Sequence, residues 1–382
     1  MNFIATATPL TEGVVEKELL ELGVKESSIK TGRVEFKTTL ENACEIAFKI
    51  RTARRILLPL KNFQFDSKED FFGESKNFEW EEFISPDNTF LVRIKGTNSK
   101  LKNTSYTSLL LKDAVVDRIR EKKGKRPSIS KENPDAVILG YIEENRAQLS
   151  LDLGGALHKR GYRSVPTRGT LNETLAAVIL KLSGYDGKEF LIDPMAGSGT
   201  IGIEAALMSA NISPGFLWKM GRGFFSLNLI DEKKKREIVL KAKDEISSPK
   251  ERIFLSDRDE EAINISRKNA QNAKVLNFID FSVCDFFNLT PPSKEGLIVT
   301  NTPYGEDVSL DEEARFYFKK MGDKLKKEFK NYTASLLLGN KEAIKSIGLR
   351  AFKRISLYNG SVEVKLCLYR LYEGSLKEKS QR

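Results

Sequence analysis

The sequence predicts an α/β protein in which a doubly wound, mostly parallel sheet, finished by an antiparallel strand, follows an α+β region. Three observations carry this. Short apolar runs alternate with helical patterns through the second half of the 382-residue chain. The first of them, Phe190-Leu191-Ile192, leads into Asp193-Pro194-Met195-Ala196-Gly197-Ser198-Gly199-Thr200, a glycine turn that opens a helix. Near the end, Asn359-Gly360 joins two strand-like runs, a type I′ hairpin signal that sends the last strand antiparallel to its neighbour.

In the first half, strands are expected at 3–8, 33–37 and 54–60, with helices at 12–22 and 40–50. Val15, Leu19, Leu20 and Leu22, and Ala43, Ile46, Ala47 and Ile50, each fall on one helix face and read as core. A helix around 71–83, a strand at 90–94, a long helix at 108–122 and a hairpin pairing 136–142 with 148–153 follow. Gly154-Gly155 and the stretch 160–166 mark the connection between the halves. Beyond it, helices are expected at 172–182, 200–210, 260–273 and 312–329, and strands at 190–193, 252–256, 278–283, 296–300 and 333–338. The hairpin pairs 354–358 with 362–369. Residues 211–250, with Phe216, Trp218, Phe224, Phe225 and a Lys-rich helix, lengthen one crossover and read as a helical excursion on one sheet face.

Composition removes several chemistries. Cys44, Cys284 and Cys367 stand far apart, and His158 is the one histidine, so metal and disulfide frameworks lack parts and no metal is expected. No Gly-x-Ser-x-Gly elbow is present for His158 to serve. No uncharged stretch approaches a membrane span and no basic-then-apolar leader opens the chain, which predicts a cytoplasmic protein without a membrane partner. The net charge of +10 is concentrated: residues 93–131 carry twelve Lys or Arg against three acids, whereas 61–92 carry eight acids against three bases. The stretch from Arg93 to Lys131 suits a phosphate backbone, and equally a solvated helix face.

The glycine turn is expected to leave backbone amides free at a helix N-terminus, with Ser198 and Thr200 as caps. Asp193 at the strand end points into the crevice where open α/β sheets bind ligands. Asp257, ending the next strand, is placed to take ribose hydroxyls, and Asp285, after the third, to accept from an adenine amine; Asp259 reads as a helix cap. The fourth strand ends in Asn301-Thr302-Pro303-Tyr304. The Asn301 side-chain oxygen and a main-chain carbonyl there can accept both N–H bonds of an aromatic amine, favouring the pyramidal nitrogen that attacks. Tyr304 can stack on a base swung out of its helix.

Residues 193–200, with 203–208, 211–215, 151–163 and 171–180, closely resemble the THUMP-containing RNA methyltransferases that modify the 2-amino group of guanosine, over essentially the whole chain. The resemblance implies a ferredoxin-like segment at 1–60, a THUMP RNA-binding module at 61–155 and a Rossmann-like methyltransferase domain at 156–382. It also implies S-adenosylmethionine as donor, held by Asp193, Met195, Ala196, Gly197, Ser198, Gly199, Thr200, Asp257 and Asp285, with Asn301, Thr302, Pro303 and Tyr304 at the reacting amine. Ribosomal RNA of the large subunit is the leading substrate and transfer RNA the next. Two departures stand out: Thr302 replaces the family's first proline, and Asp307 its usual arginine. The rival readings are an adenine-amine methyltransferase and an RNA-binding protein whose catalytic half has decayed.

Overall fold

The computed structural model describes residues 1–165, 171–218, 222–303, 312–339 and 341–373. The chain divides into two compact units, the first comprising 1–7, 15–157 and 218–242 and the second 8–14, 158–217 and 243–382.

The first unit is built on one eight-stranded sheet of order β2-β3-β1-β4-β8-β7-β5-β6. Its strands are β1 (Asn2–Thr6), β2 (Glu26–Lys30), β3 (Arg33–Lys37), β4 (Arg55–Gln64), β5 (Thr89–Lys95), β6 (Ser128–Ile129), β7 (Ala136–Glu143) and β8 (Arg146–Asp152). The helices are α1 (Glu12–Glu21), α2 (Leu40–Lys49), α3 (Lys68–Lys76) and α4 (Thr104–Lys123). β4 crosses residue 60 and pairs with β1 on one side and β8 on the other, so a single ladder runs through both the ferredoxin-like and the following segment. β2 was not expected, because an edge strand of sequence Glu-Ser-Ser-Ile-Lys is mostly exposed and shows no apolar alternation. The expected helix at 71–83 is broken: α3 stops at Lys76, and Trp80, fully buried, donates its indole N–H to Ser75 O at 2.8 Å, using up a carbonyl of the last turn.

The 211–250 excursion is also corrected. Residues 218–242 belong to the first unit, not to a face of the second sheet. Trp218 and Phe225 meet the Phe48 ring edge-on at 5.8 and 5.9 Å, and Arg222 donates to Gly154 O at 2.9 Å. Aromatic burial decides where the segment goes.

The second unit carries α5 (Glu173–Leu182), β9 (Leu191–Asp193), α6 (Thr200–Ser209), β10 (Ile253–Asp257), α8 (Glu260–Asn272), β11 (Ile279–Val283), β12 (Gly296–Asn301), α9 (Glu312–Glu328), β13 (Tyr332–Leu338), α10 (Lys341–Ser346), β14 (Lys353–Asn359) and β15 (Val362–Arg370); α7 (Glu232–Asp244) intervenes in sequence. Its sheet has the order β11-β10-β9-β12-β13-β15-β14. The first five strands are parallel, and β15 runs antiparallel to both β13 and β14. Alternation along the strands feeds two cores, one per face: Leu191, Leu297, Val299 and Leu337 join one, Ile192, Ile298, Leu336 and Leu338 the other. Gly322 lets α9 reach the second core closely, since a Cβ there would lie 1.7 Å from Ile347 O. Gly322→Ala should therefore lower unfolding free energy by about 3 kcal/mol in denaturant titrations; an unchanged midpoint would show that the helix shifts without cost.

Candidate active site

β9, β10, β11 and β12 bring their carboxyl ends to one sheet edge, and the strand order reverses at β9, which lies between β10 and β12. Connections leaving β9 and its neighbours in opposite directions open a crevice there. A cavity of about 1410 Å³ fills it, larger than the roughly 300–1,000 Å³ of a site for one small ligand. Every described residue expected at the site lines this cavity, apart from Gly199. Tyr304 and Asp307 lie outside the described residues.

The glycine turn departs from expectation in its hydrogen bonds. Gly197 (φ 51°) and Gly199 (φ 78°) hold left-handed backbone, and Gly199 is itself the N-cap of α6. Neither Ser198 nor Thr200 caps the helix; their hydroxyls face each other at 3.2 Å. The loop amides are largely engaged inside the protein: Met195 N donates to Asp193, Ala196 N to Ser256 O, Gly197 N to Asp257 and Gly199 N to Ala196 O. What glycine provides is conformation and space, for no atom lies within 4 Å of where a Cβ of Gly197 would stand.

The strand-end acids divide the work. Asp193, 1% exposed, accepts from Thr300 Oγ1 at 2.7 Å and so joins the glycine turn to β12. Burial pushes its carboxyl up to about 7, against the pull of those two donors and with a small push from Asp257. Asp257 holds the turn through Gly197 N at 2.9 Å and Asp259 N at 3.1 Å, while Asp259 caps α8 through Glu261 N. Asp285 accepts from Phe287 N at 2.7 Å and still lines the cavity.

At the end of β12, Asn301 Oδ1 is buried and has no hydrogen-bond partner among the described residues. Such an acceptor costs about 1–3 kcal/mol unless something donates to it. Thr302, 1% exposed, donates twice to Leu337 O on β13, from its N–H at 3.3 Å and its hydroxyl at 2.7 Å. The φ restraint that proline would supply is replaced by a tether to the neighbouring strand.

Sequence reasoning missed the layer beneath the turn. Ser266 donates to Gly197 O at 2.7 Å, and Asn269 to Ser198 O at 2.9 Å while accepting from Ser164 N at 2.8 Å. Arg163 reaches Thr200 Oγ1 at 3.1 Å and Glu173 at 2.9 Å. Below them, Arg160 and Glu204 form a fully buried ion pair that Tyr162 also joins through its hydroxyl. The signal lay in the helical pattern: Ser266 and Asn269 stand on the core-facing stripe of α8 with Ile263 and Ala270.

In the first unit, the charge asymmetry is partly internal. Acids of 61–92 pair with cations of 93–131: Glu81 with Arg118, Glu121 in return with Lys76, Asp66 with Lys100 and Asp87 with Lys125. Arg93, Lys122, Lys123, Arg126 and Lys131 remain exposed.

With this geometry in place, the likenesses to known proteins decide the lineage. Residues 160–367 match the RMKL-like methyltransferase domain, 65–152 the THUMP domain and 2–57 the RlmL ferredoxin-like domain. The chain belongs to the THUMP-containing, RMKL-like methyltransferase family. It is 36% identical over 376 residues to the ribosomal RNA large subunit methyltransferase K/L of Psychromonas ingrahamii, a match that covers 97% of this chain and 50% of that protein. The chain thus spans about half the length of the K/L relatives it matches. It is also 33% identical over 375 residues to the Synechocystis sp. protein slr0064, covering 97% of both. The solved structure of SMU.472 complexed with SAH superposes with a TM-score of 0.85 at 26% identity, over 98% of this chain and 99% of that one. The α/β fold with its methyltransferase sheet, expected from the strand-helix alternation and the hairpin, is that of this family.

Two outcomes are expected of this chain. The folded-state pKa of Asp193 lies above the ordinary aspartate value, so the fold retains a proton that the unfolded chain releases, and stability falls as pH rises from about 4 to about 7. Asp193→Asn should therefore gain on the parent by about 2 kcal/mol between pH 5 and pH 8 in denaturant unfolding; parallel pH profiles would refute it. Thr302→Val, which deletes the buried hydroxyl, should lose about 1 kcal/mol of stability and slow methyl transfer, with Thr302→Ser near the parent in both. Equal behaviour of the Val and Ser variants would remove the tether from the account.

Proposed function

We propose that this chain is an S-adenosylmethionine-dependent RNA methyltransferase acting on the exocyclic 2-amino group of a guanosine in large-subunit ribosomal RNA. The observation that carries it is that Asn301, whose buried Oδ1 has no hydrogen-bond partner among the described residues, lines one cavity with Asp193 and the glycine turn. An orphan acceptor beside such a cavity fits an amine donor, and the volume fits a purine together with a nucleoside cofactor. The SAH in the SMU.472 structure and the rRNA named for the K/L relatives support the same reading.

Asp193, the turn from Met195 to Thr200, Asp257 and Asp285 would hold the cofactor. When bound, S-adenosylmethionine supplies the activated methyl group and its leaving group. Asn301 Oδ1 and a carbonyl of its loop would accept the two N–H bonds of the amine, directing the nitrogen lone pair out of the ring plane. Thr302 keeps that loop in position through Leu337 O. Catalysis is then chiefly proximity and orientation, and the proton leaves afterwards to water. The family matches support a ferredoxin-like segment at 1–60, a THUMP module at 61–155 and a catalytic domain over 156–382, from which residues 218–242 depart to the first unit. The exposed cations between Arg93 and Lys131 would meet the RNA backbone, in a cytoplasmic setting.

The test is incubation with labelled S-adenosylmethionine and total RNA, followed by separation of the RNAs and digestion to nucleosides. Label should appear as 2-methylguanosine from large-subunit rRNA; label only in 6-methyladenosine would defeat the assignment, and label only in tRNA would move the substrate. Asn301→Ala should lower kcat by about a hundredfold with cofactor affinity unchanged by calorimetry.

A further inference from the structure

Phe316 on α9 keeps 69% of its surface exposed and lines the same cavity as Asn301 and Gly197. Its neighbours on the helix are accounted for otherwise. Phe318 is 2% exposed in the second core, and Tyr317 packs edge-on against Phe287 at 5.3 Å, with its hydroxyl 3.7 Å from Met195 Sδ. Among the described residues Phe316 makes no such use of its ring: a large apolar face is left on the cavity wall instead of in a core, where it would contribute about 1.5–3 kcal/mol.

The charges around it select an occupant. Glu312 and Glu313, in the first turn of α9, line the cavity and repel phosphate there. About two turns further along, one turn past Phe316, Lys319 and Lys320 are exposed, and the Lys320 ammonium stands 4.3 Å from the Phe287 ring centre on the cavity wall. An uncharged aromatic face flanked by acids on one side and cations on the other fits a nucleobase whose phosphate lies toward the lysines.

The geometry points to Phe316 as a stacking platform for the base next to the target guanosine in the RNA substrate. This rests on the proposed methyl transfer to RNA and names a subsite of it. The base lies against the Phe316 ring, on the wall of the cavity that also holds Asn301, while the target amine is held at Asn301.

Two measurements on the full chain test it: anisotropy of a labelled, guanosine-containing single-stranded RNA oligonucleotide, and steady-state methyl transfer. Phe316→Ala should weaken oligonucleotide binding and raise KM for RNA about tenfold, the size of one lost base stack, with kcat and the calorimetric affinity for S-adenosylhomocysteine unchanged. Phe316→Trp should restore both. Unchanged RNA binding and KM in the alanine variant, or a loss confined to cofactor affinity, would overturn the proposal. A parent protein that methylates no guanosine would sink the proposed activity, while the binding comparison would still decide whether Phe316 meets RNA.

Discussion

One buried carboxyl group holds the two halves of the candidate site in register. Asp193 ends β9, at the point where the strand order reverses, and its hydrogen bond from Thr300 crosses to β12 just ahead of Asn301. The glycine turn follows it directly, and Met195 N donates back to it. Any movement of β12 relative to β9 would therefore separate the turn from the amide at Asn301. The link is electrostatically expensive, since burial leaves the carboxyl reluctant to ionise. A site that must accept a charged ligand beside a partly neutral acid has such tension built into it.

Around that link the turn is fixed from below. Asp257 takes the Gly197 amide, Ser266 and Asn269 donate to the Gly197 and Ser198 carbonyls, and Arg163 binds Thr200. The Met195, Ala196 and Gly199 amides, which a simple anion-cradle picture would leave open, are likewise bonded inside the protein. Gly199 shows the same packing from the other direction, because a Cβ there would come within 2.9 Å of Ser266 Oγ. The turn is thus a rigid, preformed surface, which reduces the ordering cost of binding.

Most of the second unit was legible in the sequence because its strands are buried on both faces. Runs such as Leu297-Ile298-Val299 and Leu336-Leu337-Leu338 have no other stable place, and Asn359-Gly360 fixes the hairpin. α10 in the second unit and β2 in the first were not, being short and lacking a full apolar stripe. The site was legible where chemistry sits at strand ends: Asp193, Asp257, Asp285 and Asn301. It was not legible where partners are distant in sequence. Asn269 and Ser164 are 105 residues apart, and Thr300 and Asp193 are 107. How much of the basic stretch is neutralised was not legible for a related reason, since a charge count along the chain cannot show that Glu81 closes on Arg118.

Thr302 bears on whether the catalytic half has decayed. A proline lost by drift leaves its position free to take any residue that fits, with no requirement that the newcomer restore rigidity. Here the replacement is 1% exposed, and both its amide and its hydroxyl converge on Leu337 O, a carbonyl of the adjacent strand. Burying that hydroxyl costs free energy unless it is bonded, so the hydrogen bond and the burial stand or fall together. Thr302 is therefore tethered to β13 at the end of β12, where the resemblance would place a proline. Among the described residues, Thr302 is held to the neighbouring strand, the Asn301 acceptor beside it has no partner and the Asp193 link is intact, which is the packing the proposed activity requires.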